Sequence, residues 1–117
     1  MVPVRSQMCS AGSMMSPVQL FNRDELATIS RCLEAANRED VIPEWEFQTL
    51  FGIERSVLED VLARWSEVDL WDEPTLLAVN NALVNIACYP HALDVEALAG
   101  VSETTLIDLA RRLPRRP

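Results

Sequence analysis

Hydrophobic positions recur at helical spacing along residues 20–113. In the first such segment Leu26, Ile29, Leu33 and Ala36 lie three or four residues apart, a spacing that places side chains on one face of an α-helix. The pattern predicts an all-α fold with about six helices. Their predicted bounds are 22–37, 43–51, 54–65, 73–88, 93–99 and 102–113.

The first and fourth predicted helices begin with similar capping residues. Asn22 is followed three residues later by Glu25, the arrangement in which each side chain bonds the other residue's backbone N–H. Fifty residues further on, Asp72 precedes the fourth helix, and Pro74 follows in its first turn. Proline is tolerated there because the N–H that it lacks has no partner inside the helix.

Two glycines occupy matching places in the two halves of the chain. When residues 46–65 are aligned with residues 94–113, most apolar positions coincide and Gly52 falls on Gly100. Glycine after a helix supplies the left-handed residue that lets the chain turn sharply. We therefore expect two similar three-helix units fused into one compact domain. The predicted division is a flexible lead-in over 1–19, unit one over 20–65, unit two over 68–113 and a basic tail over 114–117.

Composition and charge restrict the functions that this fold can carry. The chain has 117 residues, of which 49% are hydrophobic and 24% charged, and its net charge is −8. Residues 20–65 hold ten acidic and five basic side chains, and residues 66–113 hold eight and two, so the acidity belongs to the predicted domain. An acidic surface repels phosphate and anionic lipid and favours basic partners. We expect no membrane association.

The cysteines and the histidine do not form a recognisable reactive or metal-binding pattern. Cys9, Cys32 and Cys88 are an odd number at unrelated spacings, which predicts reduced thiols in the cytoplasm. Cys32 and Cys88 are expected to be buried. His91 is the single histidine and is expected to lie in a loop, without the second pair of ligands that a zinc site needs. We predict a protein with no catalytic residue, metal or cofactor.

The order of elements in each unit also suggests an alternative function. Helix, loop, short helix, glycine turn and helix resembles the tri-helical helix-turn-helix plan of bacterial regulators. The resemblance implies DNA binding through residues 102–112. The residues that would contact DNA are Ser102, Thr104, Thr105, Arg111 and Arg112. Charge weighs against this alternative, because the corresponding helix of unit one is predicted to expose Glu54, Arg55, Ser56, Glu59 and Asp60 to a polyanion.

The favoured prediction is a non-enzymatic, acidic helical module that docks on a basic surface of a partner protein, as inhibitors, adaptors and immunity proteins do. Two acidic segments are expected to form one docking face. Its candidate residues are Glu39, Asp40, Glu44, Trp45, Glu46, Glu67, Asp69, Asp72 and Glu73. Trp45 is the best candidate for an exposed anchor among the tryptophans, although a place in the core is favoured for it.

Overall fold

The computed structural model describes residues 14–89 and 93–114, and within them it contains six α-helices and no strand. A short 3-10 turn over Pro17–Gln19 precedes the first helix. The helices are α1 (Arg23–Ala36), α2 (Glu44–Phe51), α3 (Arg55–Ala63), α4 (Glu73–Cys88), α5 (Val95–Ala99) and α6 (Glu103–Arg111). Each helix lies inside its predicted segment, so the all-α prediction is confirmed. No helix of the described residues is both long and apolar enough to cross a membrane.

The helix ends form as the local sequence predicts. The Asn22 side chain accepts a bond from the N–H of Glu25 at 2.8 Å, and the Glu25 carboxylate accepts one from the N–H of Asn22 at 3.0 Å. Asp72 accepts bonds from both the N–H and the hydroxyl of Thr75 at the start of α4. These bonds satisfy N–H groups that have no partner within the helix.

Both predicted glycine turns are present. Gly52 and Gly100 follow α2 and α5 with φ of +71° and +84°, in the left-handed region that side chains with a Cβ rarely adopt. Each donates its N–H to the carbonyl four residues earlier, on Gln48 and Glu96, at 2.8 Å. The chain reverses after each glycine and begins the next helix within three residues.

The core is built around α4, which contacts all five other helices and packs most extensively against α1 and α6. Its inner face carries Val79, Leu83 and Ile86, each completely buried. Helical periodicity turns the last residue, Cys88, away from that face. Cys88 is therefore exposed, contrary to prediction, whereas Cys32 on α1 is buried as expected.

The two predicted units contact each other reciprocally. Helix α2 of unit one packs on α4 of unit two, and α5 of unit two packs on α1 of unit one. The side-chain amide of Asn81 on α4 donates to the carbonyl of Phe51 beside the first glycine turn, at 2.9 Å. In the same way, the Arg31 guanidinium on α1 lies directly against Gly100. Whether the two units superpose as three-helix bodies stays a prediction.

The end of the predicted lead-in is attached to the domain. The N–H of Met15 donates to Asp69 at 3.0 Å, and the carbonyl of Met15 accepts from the N–H of Leu70 at 2.8 Å. Pro17 is buried. Met15 and Pro17, which belong to the predicted lead-in, therefore contact the rest of the domain. Residues 1–13, 90–92 and 115–117, which include Cys9 and His91, lie outside the described residues.

Candidate protein-docking site at one end of the central helix

The two acidic segments lie at opposite ends of α4 and do not form the single face that was expected. At the helix start, Asp72 is the N-cap and Glu73 the first residue. At the other end Tyr89, directly after the helix, donates its hydroxyl to the Glu46 carboxylate on α2. Sixteen helical residues separate the two ends by roughly 24 Å. The helix order in space, which no local pattern specifies, separates the segments.

At the start of α4, two carboxylates hold the backbone of the loop between the units. Asp69 accepts bonds from the N–H groups of Met15 and Trp71, each at 3.0 Å, and Asp72 caps α4. Glu67 is exposed, as is Glu73. This end therefore uses half of its candidate acids for structure.

At the other end, Trp45 is 80% exposed, which corrects the prediction that it lies in the core. Phe47 and Phe51 occupy the buried face of α2, with their rings stacked at 4.3 Å. Two residues before Phe47 corresponds to a rotation of about 200° around the helix axis, which points Trp45 to solvent. Trp45 is the most exposed large hydrophobic side chain of the described residues.

Carboxylates surround Trp45 in the sequence and form part of the same end of the molecule. We call this end the Trp45 surface. It comprises Glu39, Asp40, Glu44, Trp45, Glu46 and Glu54. Residues 38–55 include five carboxylates and two arginines, which gives this segment a net charge of −3.

Three of these carboxylates have polar partners. Arg38 donates two bonds to Asp40, at 3.1 and 2.7 Å, which lowers the pKa of that carboxyl. Glu46 accepts from Tyr89, and this bond raises the pKa of the Tyr89 phenol. Glu44 lies 2.7 Å from Arg55.

Arg55 is not exposed as predicted, because its side chain is turned inward and retains 14% exposure. It lies beside a surface groove of about 340 Å³ that opens between the first turns of α2 and α3. The groove is lined by Glu44, Phe47, Gln48, Glu54, Arg55 and Ser56. The sequence could not reveal this role of Arg55, since its polar partners lie 11 to 19 residues away.

The candidate DNA-binding residues are only partly available on α6. Arg112 binds the Glu25 carboxylate at 2.6 Å and the carbonyl of Leu20 at 2.5 Å. The hydroxyl of Ser102 accepts from the N–H of Thr105 at the start of the helix. Thr104 and Arg111 are exposed, with the Arg111 side chain 72% exposed and 3.8 Å from Asp108. The Thr105 hydroxyl also lies within hydrogen-bond distance of the Ser102 hydroxyl, at 3.1 Å. Ser102, Thr105 and Arg112 thus have structural partners in place of a ligand.

Within the described residues, no group of three or more histidine, cysteine or carboxylate side chains is placed to hold a metal ion. His91, the single histidine of the sequence, lies outside those residues.

Comparison with known proteins does not add a family to this picture. No protein-family model matches the chain, and neither a curated protein nor a solved structure was found to be similar to it.

Proposed function

We propose that this protein is a non-enzymatic interaction module that docks through the Trp45 surface on a basic surface of a partner protein. The observation that carries the proposal is the 80% exposure of Trp45 within a region of net charge −3. Burying an exposed tryptophan side chain at an interface is favourable, because it removes a large apolar surface from water. Interface hot spots are accordingly enriched in tryptophan. Inhibitor, adaptor and immunity roles all use this kind of contact.

The carboxylates around Trp45 select for a partner with a basic surface. Opposite charge on the partner accelerates encounter and orients it, and like charge disfavours wrong partners. Glu39 and Glu54 are exposed and have no ion pair among the described residues. They would meet arginine or lysine side chains around a pocket that accepts the Trp45 indole.

We propose a cytoplasmic location, and the free thiols of Cys32 and Cys88 among the described residues support it. An exposed thiol such as that of Cys88 remains reduced in a reducing compartment and forms disulfides in an oxidising one.

The test is retention of partners from native lysate by immobilised protein, with a matched pair of charge reversals. Glu39→Arg with Glu54→Arg changes the Trp45 surface, and Glu67→Arg with Glu73→Arg makes the same change of charge at the opposite end of α4. We expect a retained protein to be lost with Trp45→Ala and with the first pair, but kept with the second. Retention that all variants share equally would contradict the proposal.

A separate measurement, the affinity of the purified protein for random duplex DNA, addresses DNA binding by α6. Non-specific DNA-binding proteins reach dissociation constants of about 10⁻⁴ to 10⁻⁶ M near physiological salt. We expect weaker binding of random duplex than this. Duplex binding in that range that is lost with Arg111→Ala or Thr104→Ala would favour the helix-turn-helix alternative.

A further inference from the structure

Arg55 connects four parts of the chain next to Trp45. Its Nη1 donates to the side chain of Asn37 at 3.1 Å and to the carbonyl of Ala36, at the end of α1, at 3.5 Å. Its Nη2 donates to the carbonyl of Ile42 at 3.2 Å. Arg55 itself is the first residue of α3. One guanidinium thus holds both ends of the α1–α2 loop.

The same side chain fixes the first turn of α2. Its Nε donates to the Glu44 carboxylate at 2.7 Å, and its guanidinium carbon lies 4.4 Å from the centre of the Phe47 ring. Glu44 directly precedes Trp45, and Pro43 provides no side-chain cap to α2. The start of α2 therefore depends on Arg55 where a cap would otherwise stabilise it.

We infer that Arg55 is a positioning residue that presents Trp45 and Glu44 as a preformed docking surface, an inference that rests on the proposed function. A rigid surface loses less conformational entropy on association than one that orders on binding. Lysine cannot replace Arg55, because an ammonium is a point charge without the planar fork that reaches four acceptors at once.

Arg112 provides a matched control in unit two. It combines the same three kinds of contact: a carboxylate on Glu25, a backbone carbonyl on Leu20 and an aromatic ring on Phe21, 5.0 Å from the guanidinium. These contacts involve neither α2 nor the α1–α2 loop. Arg112→Lys therefore removes an equivalent set of contacts without touching the Trp45 surface.

The experiment is fluorine NMR of the full chain labelled with 5-fluorotryptophan, in which the Trp45 resonance is assigned by its loss in Trp45→Phe. We expect Arg55→Lys to shift or broaden the Trp45 resonance and to leave those of Trp65 and Trp71 in place. We expect Arg112→Lys to leave the Trp45 resonance unchanged. Amide hydrogen exchange over residues 38–46 should become about tenfold faster or more in Arg55→Lys, since loss of tertiary contacts lowers the local opening free energy.

An unchanged Trp45 resonance and unchanged exchange in folded Arg55→Lys would overturn the inference, as would equal changes at all three tryptophans. If Arg55→Lys does not fold, Glu44→Gln weakens the same ion pair at a side chain that is 65% exposed, and the same two outcomes decide.

The two proposals fail differently. A Trp45-dependent partner that binds Arg55→Lys as well as the native protein contradicts the positioning role alone. If the Trp45 resonance shifts in Arg55→Lys but no partner depends on Trp45, the proposed function is contradicted and the positioning role of Arg55 stands.

Discussion

Units one and two use the same pattern of apolar residues and glycine but differ in what secures the start of the helix after the glycine turn. In unit one, neither Pro43 nor Glu54 caps its helix with a side chain, and Arg55 ties the helix starts together. In unit two, Ser102 caps α6 with its own hydroxyl. A local cap needs only residues a few positions apart. The hydrogen bonds of Arg55, which we call the Arg55 clamp, form only when α1, the α1–α2 loop and α2 are packed together. The unit with the clamp is also the one that exposes Trp45.

The interiors of the two units differ in volume. Phe47 and Phe51 fill the inner face of α2, and the aligned residues Val95 and Ala99 belong to α5, which has five residues against eight. Binary patterning accepts either set, because it specifies which positions are apolar and leaves their size open. The larger α2 is long enough to carry polar and aromatic residues outside the core.

The largest expected effect tests where the two units are equivalent. Leu58 and Leu106 align and are both completely buried. Leu58→Ala and Leu106→Ala should each lower the free energy of unfolding by about 2–5 kcal/mol, through lost burial and the cavity left behind. Urea unfolding followed by circular dichroism measures both. A near-neutral result at one position would show that its unit does not share the core.

The glycine turns should differ modestly. Gly52→Ala and Gly100→Ala each force a Cβ into a left-handed conformation, at a cost of about 1 kcal/mol or more. At Gly100 the new Cβ would also lie 2.7 Å from Nη1 of Arg31, whereas at Gly52 the nearest atom is 3.9 Å away. We expect Gly100→Ala to cost more because of this close approach. The difference should be small, because the Arg31 side chain is flexible and can move away. In the background of Arg31→Ala, the difference should vanish, and a difference that persists would assign it to the backbone.

The caps provide the sharpest contrast between aligned positions. Ser102 accepts a bond from the N–H of Thr105, whereas Glu54, forty-eight residues earlier, forms no cap bond. Ser102→Ala should cost about 1 kcal/mol, and Glu54→Ala should be close to neutral in the same unfolding experiment. Equal costs would contradict the different capping of the two units.

The smallest effect concerns the ion pair that closes unit two on unit one. Two hydrogen bonds lower the pKa of Glu25. The larger effect comes from the Arg112 side chain and the smaller one from the backbone N–H of Asn22. A carboxyl with a lowered pKa stabilises the fold above its unfolded pKa, and this contribution is lost as the pH falls through the lowered value. Arg112→Gln should therefore lower the melting temperature at pH 7 and lower it less in strong acid, where only the contacts of Arg112 with Leu20 and Phe21 remain.

The control for this pair lies at the aligned position of unit one. Arg64 pairs with Asp60 on the same helix, and both side chains are more than half exposed. Arg64→Gln should have a smaller effect at pH 7, because exposed pairs contribute little. A gap between native protein and Arg112→Gln that stays constant from pH 7 into strong acid would rule out the ion pair as its cause.

Much of the fold could be predicted because its signals are local. The Asn22 capping box, the Asp72 cap and the glycine turns depend on residues within a few positions of one another, and all are present. For the candidate site, the sequence identified the acidic residues but could not predict which of them remain free to bind a partner. The acidic residues were identified from composition, but whether Asp69 and Asp72 bind backbone or remain available depends on the loops that surround them.

The amino-acid sequence alone determined the helices, their ends and the two left-handed glycines, since hydrophobic period, capping and backbone sterics act within one or two helical turns. Tertiary structure alone decided that the acidic segments lie at opposite ends of α4, that Arg55 is turned inward and that Arg112 pairs with Glu25. The contacts of Arg55 and Arg112 join residues separated by 11 to 92 positions. Such contacts depend on how the helices are arranged around α4, and a local pattern contains no information about that arrangement.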